Sequence, residues 1–333
     1  MSISELQKTI NDLIAPGKGV LAADESSGTI AKRFSSINVE STEETRRAYR
    51  SLLLTSPEIK KYLCGVILFE ETLMQTDDEG NLFPKLLEEQ GIVPGVKVDK
   101  GTISLLGASG DLITQGLDGL AERLSLYKKQ GARFTKWREV YEIGESNPTH
   151  LGIQANAETL ARYAAICQDN GFIPIVEPEV LMDGTHSIEQ CEEITERVLH
   201  AVFHAIHQHG VRLEYMLLKP NMVLPGKESG QPVIAKEVAE RTLRVLRRAV
   251  PAAVPSINFL SGGQSSDDAT KNLYAMNTDT GANPWVLSFS FARALQQPAL
   301  SIWKGEDRNK IIAQEAFTER LSANSAARDG KIE

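Results

Sequence analysis

Short apolar runs recur along the whole chain, each ending at a charged residue, a glycine or a proline, and longer segments with helical spacing separate them. Strand-length runs alternating with helices are the pattern of βα units around a parallel sheet. The predicted strands occupy residues 19–24, 65–69, 95–98, 134–137, 173–177, 216–219, 256–261 and 286–290. Intervening helices are clearest at 117–130, 157–170, 187–207, 235–249 and 267–276. Gly131, Gly171 and Gly210 follow three of them, where the residue past the helix end needs positive φ.

Eight such strands in 333 residues, with no Gly/Ser/Pro linker and no fixed repeat beyond the βα alternation, predict an α/β protein. The expected fold is a single (β/α)8 TIM barrel over 1–333, with an N-terminal helical extension at 1–17 (helix 3–14) and a C-terminal helix and shortened tail at 305–333 (helix 308–322). The charges favour a barrel over an open sheet, since barrels assemble their sites at the C-terminal ends of the strands. Here those ends carry Asp24, Glu70, Lys97, Lys136, Glu177, Lys219, Ser261 and Arg293. Side chains alternate along a strand, so Lys136 and Arg138 share one face, as do Lys97 and Asp99.

The net charge of −8, with no basic run, gives no footing for nucleic acid or an anionic membrane surface, and the apolar stretches fall far short of the roughly 20 residues of a membrane span. Cys64, Cys167 and Cys191 are too scattered for a disulfide framework, so a reducing compartment is expected. Residues 1–6 show neither a basic nor an apolar signal region; a cytoplasmic protein is expected, or a plastid-stroma one if a transit peptide has been removed.

Lys219 lies after an apolar run and before Pro220. A lysine amine attacks a carbonyl only when neutral, which desolvation or a neighbouring cation such as Lys136 promotes. Imine chemistry also needs a proton shuttle. Glu177 and Glu179 end another buried-looking strand, where apolar surroundings would raise a carboxyl towards the working range, and Asp24 is the third candidate acid or base. Ser261-Gly262-Gly263 after the seventh strand and Ala292-Arg293 after the eighth occupy the usual phosphate position of such barrels. His200, His204, His207 and His209 form a cluster, of which His200, His204 and His207 lie roughly opposite the apolar stripe Ile194, Val198, Val202, Ala205 and Ile206, so the cluster is read as solvent-facing and not as a catalytic metal site.

With these residues in place the chain resembles class I fructose-bisphosphate aldolases over essentially its whole length. The resemblance rests on Leu-Ala-Ala-Asp24-Glu-Ser26-Ser-Gly-Thr29-Ile-Ala-Lys-Arg33, Lys97-Val-Asp-Lys-Gly, Thr-Gln-Gly-Leu-Asp-Gly-Leu, Lys136-Trp-Arg138, Pro-Ile-Val-Glu177-Pro-Glu179, Leu-Leu-Lys219-Pro-Asn-Met and Phe-Leu-Ser261-Gly-Gly-Gln. It implies reversible cleavage of fructose 1,6-bisphosphate, in glycolysis, gluconeogenesis or the Calvin cycle, through an imine on Lys219. Glu177 and Lys136 would assist dehydration, Asp24 would take the C4 hydroxyl proton, and Glu179 would orient its neighbours. It also implies Ser261, Gly262 and Arg293 at the C1 phosphate, with Ser26, Thr29, Arg33, Lys97 and Arg138 towards the C6 phosphate. No cofactor and no metal are implied, the only partner is the sugar phosphate, and a homotetramer is the expected assembly.

Two departures from the family pattern stand out. Ala292 replaces the usual glycine before the phosphate arginine, where its Cβ would crowd the phosphate or restrict φ. The family's C-terminal tyrosine has no counterpart in a chain whose last tyrosine is Tyr274 and which ends Lys331-Ile332-Glu333, so the balance between bisphosphate and monophosphate substrates is expected to differ. The competing enzyme reading is a metal-dependent aldolase with zinc as the electron sink, for which no convincing inward ligand set is visible. The competing non-enzyme reading is a sugar-phosphate-binding scaffold, which would be expected to lose the combination of Lys219, Lys136 and Glu177.

Overall fold

The computed structural model describes residues 3–108 and 110–331; Met1 and Ser2 of the N-terminal extension and Ile332 and Glu333 of the tail lie outside the described residues. The strands are β1 (Gly19–Ala23), β2 (Leu63–Leu68), β3 (Val93–Lys97), β4 (Thr102–Ser104), β5 (Leu112–Thr114), β6 (Phe134–Tyr141), β7 (Ile173–Val180), β8 (Leu217–Leu218), β9 (Ser256–Phe259) and β10 (Val286–Phe291). Eight of them close into a barrel in the order β1-β10-β9-β8-β7-β6-β3-β2, every pair parallel, while β4 and β5 form a separate antiparallel hairpin.

The expected helices are present, that at 235–249 with the same bounds and the others with shifted ends. The helix placed at 157–170 is His150–Asp169, started by Thr149, whose side chain accepts from Gly152 N at 2.9 Å. That at 187–207 is Ile188–Gln208, opened by a capping box between Ser187 and Gln190. The C-terminal helix runs Lys310–Arg328. Gly131, Gly171 and Gly210 take φ of 96°, 79° and 64°, as their positions past helix ends require. Strand β7 runs through Pro178 to Val180 because beyond Val176 its paired neighbour is β6 alone, so a missing N–H there removes little pairing.

Two apolar layers hold the barrel. The larger lies between the strands and the surrounding helices, with Leu21, Val66, Val96, Trp137, Val176, Leu218 and Phe259 fully buried. The smaller fills the barrel's lower interior with Val20, Ala22, Ile67, Val93, Phe134, Ile173, Ile175 and Leu217. Leu6, Ile10 and Leu13 of the helix Ile3–Leu13 plug that end, which is why the apolar stripe of the N-terminal extension faces inward. Inward positions then change character along each strand: Phe134 to Lys136 to Arg138, Ile175 to Glu177 to Glu179, Leu217 to Lys219 and Ala22 to Asp24. The floor is apolar and the mouth is charged.

Candidate active site

The mouth encloses a cavity of about 490 Å³, lined by every catalytic and substrate-binding residue that the resemblance implies: Asp24, Ser26, Thr29, Arg33, Lys97, Lys136, Arg138, Glu177, Glu179, Lys219, Ser261, Gly262, Ala292 and Arg293. Glu25, Lys32, Ser36 and Ser290, which the sequence reading did not single out, line it too. Its acids are Asp24, Glu25, Glu177 and Glu179, against Lys32, Arg33, Lys97, Lys136, Arg138, Lys219 and Arg293. A net positive mouth on a chain of charge −8 selects anionic ligands.

At the floor of the mouth, Glu177 bridges two ammonium groups: its Oε2 lies 2.7 Å from Lys136 Nζ and its Oε1 lies 3.4 Å from Lys219 Nζ. Lys136 also donates to Asp24 Oδ2 at 3.0 Å. All four groups are buried. Glu177 therefore sits between cations, not among the apolar neighbours expected for it, because the barrel closes β6 and β8 against its strand. Burial depresses Lys219, and the charge of Lys136 acts in the same direction, against Glu177, Asp24 and Glu179. Burial would lower Lys136 as well, but Asp24, Glu177 and Asp99 outweigh it and hold that ammonium firmly charged. Burial would raise Asp24, yet Lys136, Lys219 and Lys97 keep it well below the usual carboxylate range. The site thus holds one amine eased towards neutrality beside a fixed ammonium and a fixed carboxylate.

The rim is fastened by further ion pairs. Arg138 Nε meets Glu179 Oε2 at 2.6 Å, and Lys97 pairs with Asp99. Glu25 joins Arg33 to the buried Arg50, whose Nη2 stands 2.7 Å from Glu25 Oε2. Gln296 adds Arg33 Nη1 at 3.4 Å and Tyr49 OH at 3.1 Å. Arg50 and Gln296 lack a sequence signal, since one lies on a helix and the other follows the last strand. Glu70 does not reach the mouth. Strand β2 stops at Leu68 and a 3-10 turn carries Glu70 to Lys100 Nζ (2.7 Å) and Tyr127 OH (2.7 Å).

At the other side of the mouth, Gly262 (φ 42°) and Gly263 (φ 86°) form the turn after β9, closed by Gln264 N donating to Ser261 O at 2.9 Å. Positive φ at both makes glycine the fitting residue. Arg293 begins the helix Arg293–Trp303, whose first N–H groups have no intrahelical partner. Burial lowers Arg293, and the charge of Arg33 acts in the same direction. Ala292 has φ −105°, outside the region that favours glycine, so its Cβ imposes no restriction on φ there.

The histidine cluster stays on the surface: His200, His204, His207 and His209 are exposed, and His209 Nε2 meets Glu158. Among the described residues no three His, Cys, Asp or Glu side chains converge as a metal-ligand set. Among the described residues no helix is long and apolar enough to cross a membrane. The three cysteines are buried and unpaired.

Residues 5–333 match the family described as "Glycolytic: Fructose-bisphosphate aldolase class-I". The chain belongs to the class I fructose-bisphosphate aldolase family. It is 57% identical over 312 residues to fructose-bisphosphate aldolase 6, cytosolic, of Arabidopsis thaliana, covering 94% of this chain and 87% of that one. It is 53% identical over 329 residues to the cytoplasmic isozyme of Spinacia oleracea, covering 99% and 92%. Among solved structures, the Plasmodium falciparum fructose-bisphosphate aldolase in complex with TRAP and a small-molecule inhibitor superposes with a TM-score of 0.96 at 48% identity, over 99% of this chain and 95% of that one.

Proposed function

We propose that the chain cleaves fructose 1,6-bisphosphate reversibly through an imine on Lys219, in the cytosol, as a single barrel domain assembled into a homotetramer. The observation that carries the chemistry is the buried arrangement of Lys219 and Lys136 on the two oxygens of Glu177. Neutral Lys219 attacks the C2 ketone of the open-chain sugar. Glu177 passes the proton that turns the carbinolamine hydroxyl into leaving water, with Lys136 holding the carboxylate in place. The resulting iminium draws the electrons of the C3–C4 bond. Asp24, kept ionised by Lys136, accepts the C4 hydroxyl proton as glyceraldehyde 3-phosphate leaves. Protonation of the enamine and hydrolysis of the imine release dihydroxyacetone phosphate and restore the amine.

The phosphates take the two sides of the mouth. Ser261, Gly262, Ala292 and Arg293 receive the C1 phosphate on backbone N–H groups and a guanidinium. Ser26, Thr29, Arg33, Lys97 and Arg138 serve the C6 end, and Glu179 holds Arg138. The cytosolic placement follows the names of the plant relatives.

Borohydride reduction in the presence of dihydroxyacetone phosphate, followed by peptide mass mapping, tests this reading, with activity followed in parallel in a strong chelator. A substrate-derived mass on the Lys219 peptide and undiminished activity in chelator are expected. No adduct, together with chelator-sensitive cleavage, would replace the imine by a metal as electron sink.

A further inference from the structure

We infer that Lys227 is a substrate-binding residue: its ammonium, reaching in from the loop after β8, completes with Arg293 the subsite for the phosphate on the ketose end of the sugar. This rests on the functional reading above and adds to it a residue that neither the strand pattern nor the family motifs single out.

The backbone of Lys227 is fixed although its loop has no regular structure. Gly226 N donates to His186 O at 2.8 Å, Lys227 N to Met182 O at 2.9 Å and Glu228 N to Gly184 O at 3.0 Å, which fastens this loop to the one after β7. From that anchor the side chain runs back over the turn after β9. A methyl group placed on Gly263 would stand 2.8 Å from Lys227 Nζ and 3.7 Å from Arg293 Nη2. The Lys227 side chain therefore lies in the space that a side chain on residue 263 would take, and its ammonium and the Arg293 guanidinium approach the same point above the turn.

Neither cation is fully engaged. Lys227 meets Asp183 Oδ1 at 3.4 Å, longer than a good charge-assisted hydrogen bond, and that carboxylate is itself mostly exposed. An exposed pair of this kind holds little free energy, so a phosphate can draw the ammonium away. Arg293 has no carboxylate within ion-pair distance among the described residues, and burial together with Arg33 makes its charge costly until an anion arrives. A lysine that served only to solvate the loop would extend outward, whereas this side chain is 36% exposed and packs on the turn.

The experiment measures half-saturation for borohydride trapping at Lys219 with dihydroxyacetone phosphate and with dihydroxyacetone, which lacks the phosphate, in wild type, Lys227→Gln, Lys227→Arg and Asp183→Asn. Lys227→Gln is expected to raise half-saturation by dihydroxyacetone phosphate, and KM for fructose 1,6-bisphosphate, about five- to tenfold, with a smaller change in kcat. Dihydroxyacetone trapping should be unmoved, Lys227→Arg should recover most of the loss, and Asp183→Asn, by freeing the ammonium, should tighten the phosphate form. Dihydroxyacetone phosphate trapping unchanged in both Lys227→Gln and Asp183→Asn, or lost in parallel with dihydroxyacetone, would overturn the assignment. Wild type that traps neither compound at Lys219 would instead overturn the functional reading itself.

Discussion

Lys219 and Lys136 share one carboxylate, yet their surroundings drive them apart. Lys219 is depressed by burial and by the like charge of Lys136. Lys136, equally buried, is held charged by Asp24, Glu177 and Asp99. Replacing Lys136 by Met removes a like charge from beside Lys219 and leaves Glu177 and Asp24 without their ammonium partner. Each of these carboxylates raises the Lys219 amine, and the lost cation had lowered it, so all three changes have the same sign. The neutral fraction of Lys219 at a given pH must fall. The pH at which trapping with dihydroxyacetone phosphate reaches half its maximal rate should therefore move up in Lys136→Met, and a downward move would contradict the electrostatic account. The sequence alone placed Lys219, Lys136 and Glu177 at the ends of separate strands and suggested that two lysines would pair. It did not show the carboxylate between them, because 136, 177 and 219 meet only when the barrel closes. Lys227 was invisible for a different reason, since a lysine in a patternless loop carries no periodicity to mark the direction of its side chain.

Strand β6 shows how an element can serve the site from its outer face. Lys136 and Arg138 point into the mouth, while Trp137, Glu139 and Tyr141 point towards the helices and are buried. The expected strand stopped at Trp137 because Arg138-Glu139 reads as a charged strand end, whereas Glu139 is fully buried and paired to backbone and indole donors. Its carboxylate accepts from Trp137 Nε1 at 2.8 Å and from Thr114 N at 3.2 Å, tying the β4–β5 hairpin to the barrel. That hairpin escaped the sequence reading because its strands are only three residues long, β4 is exposed, and neither offers an apolar run of strand length. Burial pushes Glu139 up to about 8, against the bonds from Thr114 and Trp137. Between its unfolded value, about 4.3, and that level the native chain holds a proton that the unfolded chain has released. Stability from this group accordingly falls as pH rises through the window and levels off above it, by at most about 5 kcal/mol on the order-of-magnitude conversion. Glu139→Gln costs about 1 kcal/mol at the acidic end, since an amide oxygen replaces two acceptors, but it abolishes the proton release. Thermal denaturation at pH 6 and pH 8 should show the wild-type advantage shrinking or reversing at the higher pH, and parallel melting shifts in the two proteins would refute the buried-acid assignment.

Across the whole molecule the barrel is graded along its axis, apolar where the N-terminal helix plugs it and charged where the loops open. The gradient was legible in the sequence, because a run that opens on Phe134 or Ile173 and reaches Lys136 or Glu177 declares its own direction, whereas the plug formed by the N-terminal helix was not. The packing that closes the floor was not, since it depends on which residues face one another across strands. Phe134 is paired with Gly95 in register, and its ring occupies the space where a side chain at 95 would stand: a Cβ there would lie 2.3 Å from Phe134 Cε2. Gly65 on the next strand leaves room for the same ring, with its would-be Cβ 3.2 Å from Phe134 Cε1. One aromatic side chain thus fills the gap left by two glycines, and the strands can approach as barrel closure demands. Gly95→Ala puts a methyl group inside contact distance of a ring that is fully buried and hemmed in by Leu13 and the floor cluster. Either the ring leaves its rotamer or β3 and β6 separate, and overpacking of this kind costs about 1–3 kcal/mol. Phe134 precedes Lys136 by two residues on the same face, so a displaced β6 also carries the ammonium away from Glu177 and Asp24. Urea denaturation should therefore show the stability loss, and turnover of fructose 1,6-bisphosphate should fall in the same variant, while Gly91→Ala, which meets nothing within 4 Å but is strained at φ 73° outside the barrel, lowers stability through its own backbone and leaves turnover intact. An unchanged midpoint in Gly95→Ala would mean that the floor is loose enough to absorb a methyl group, and that the glycines are there for some reason other than the ring.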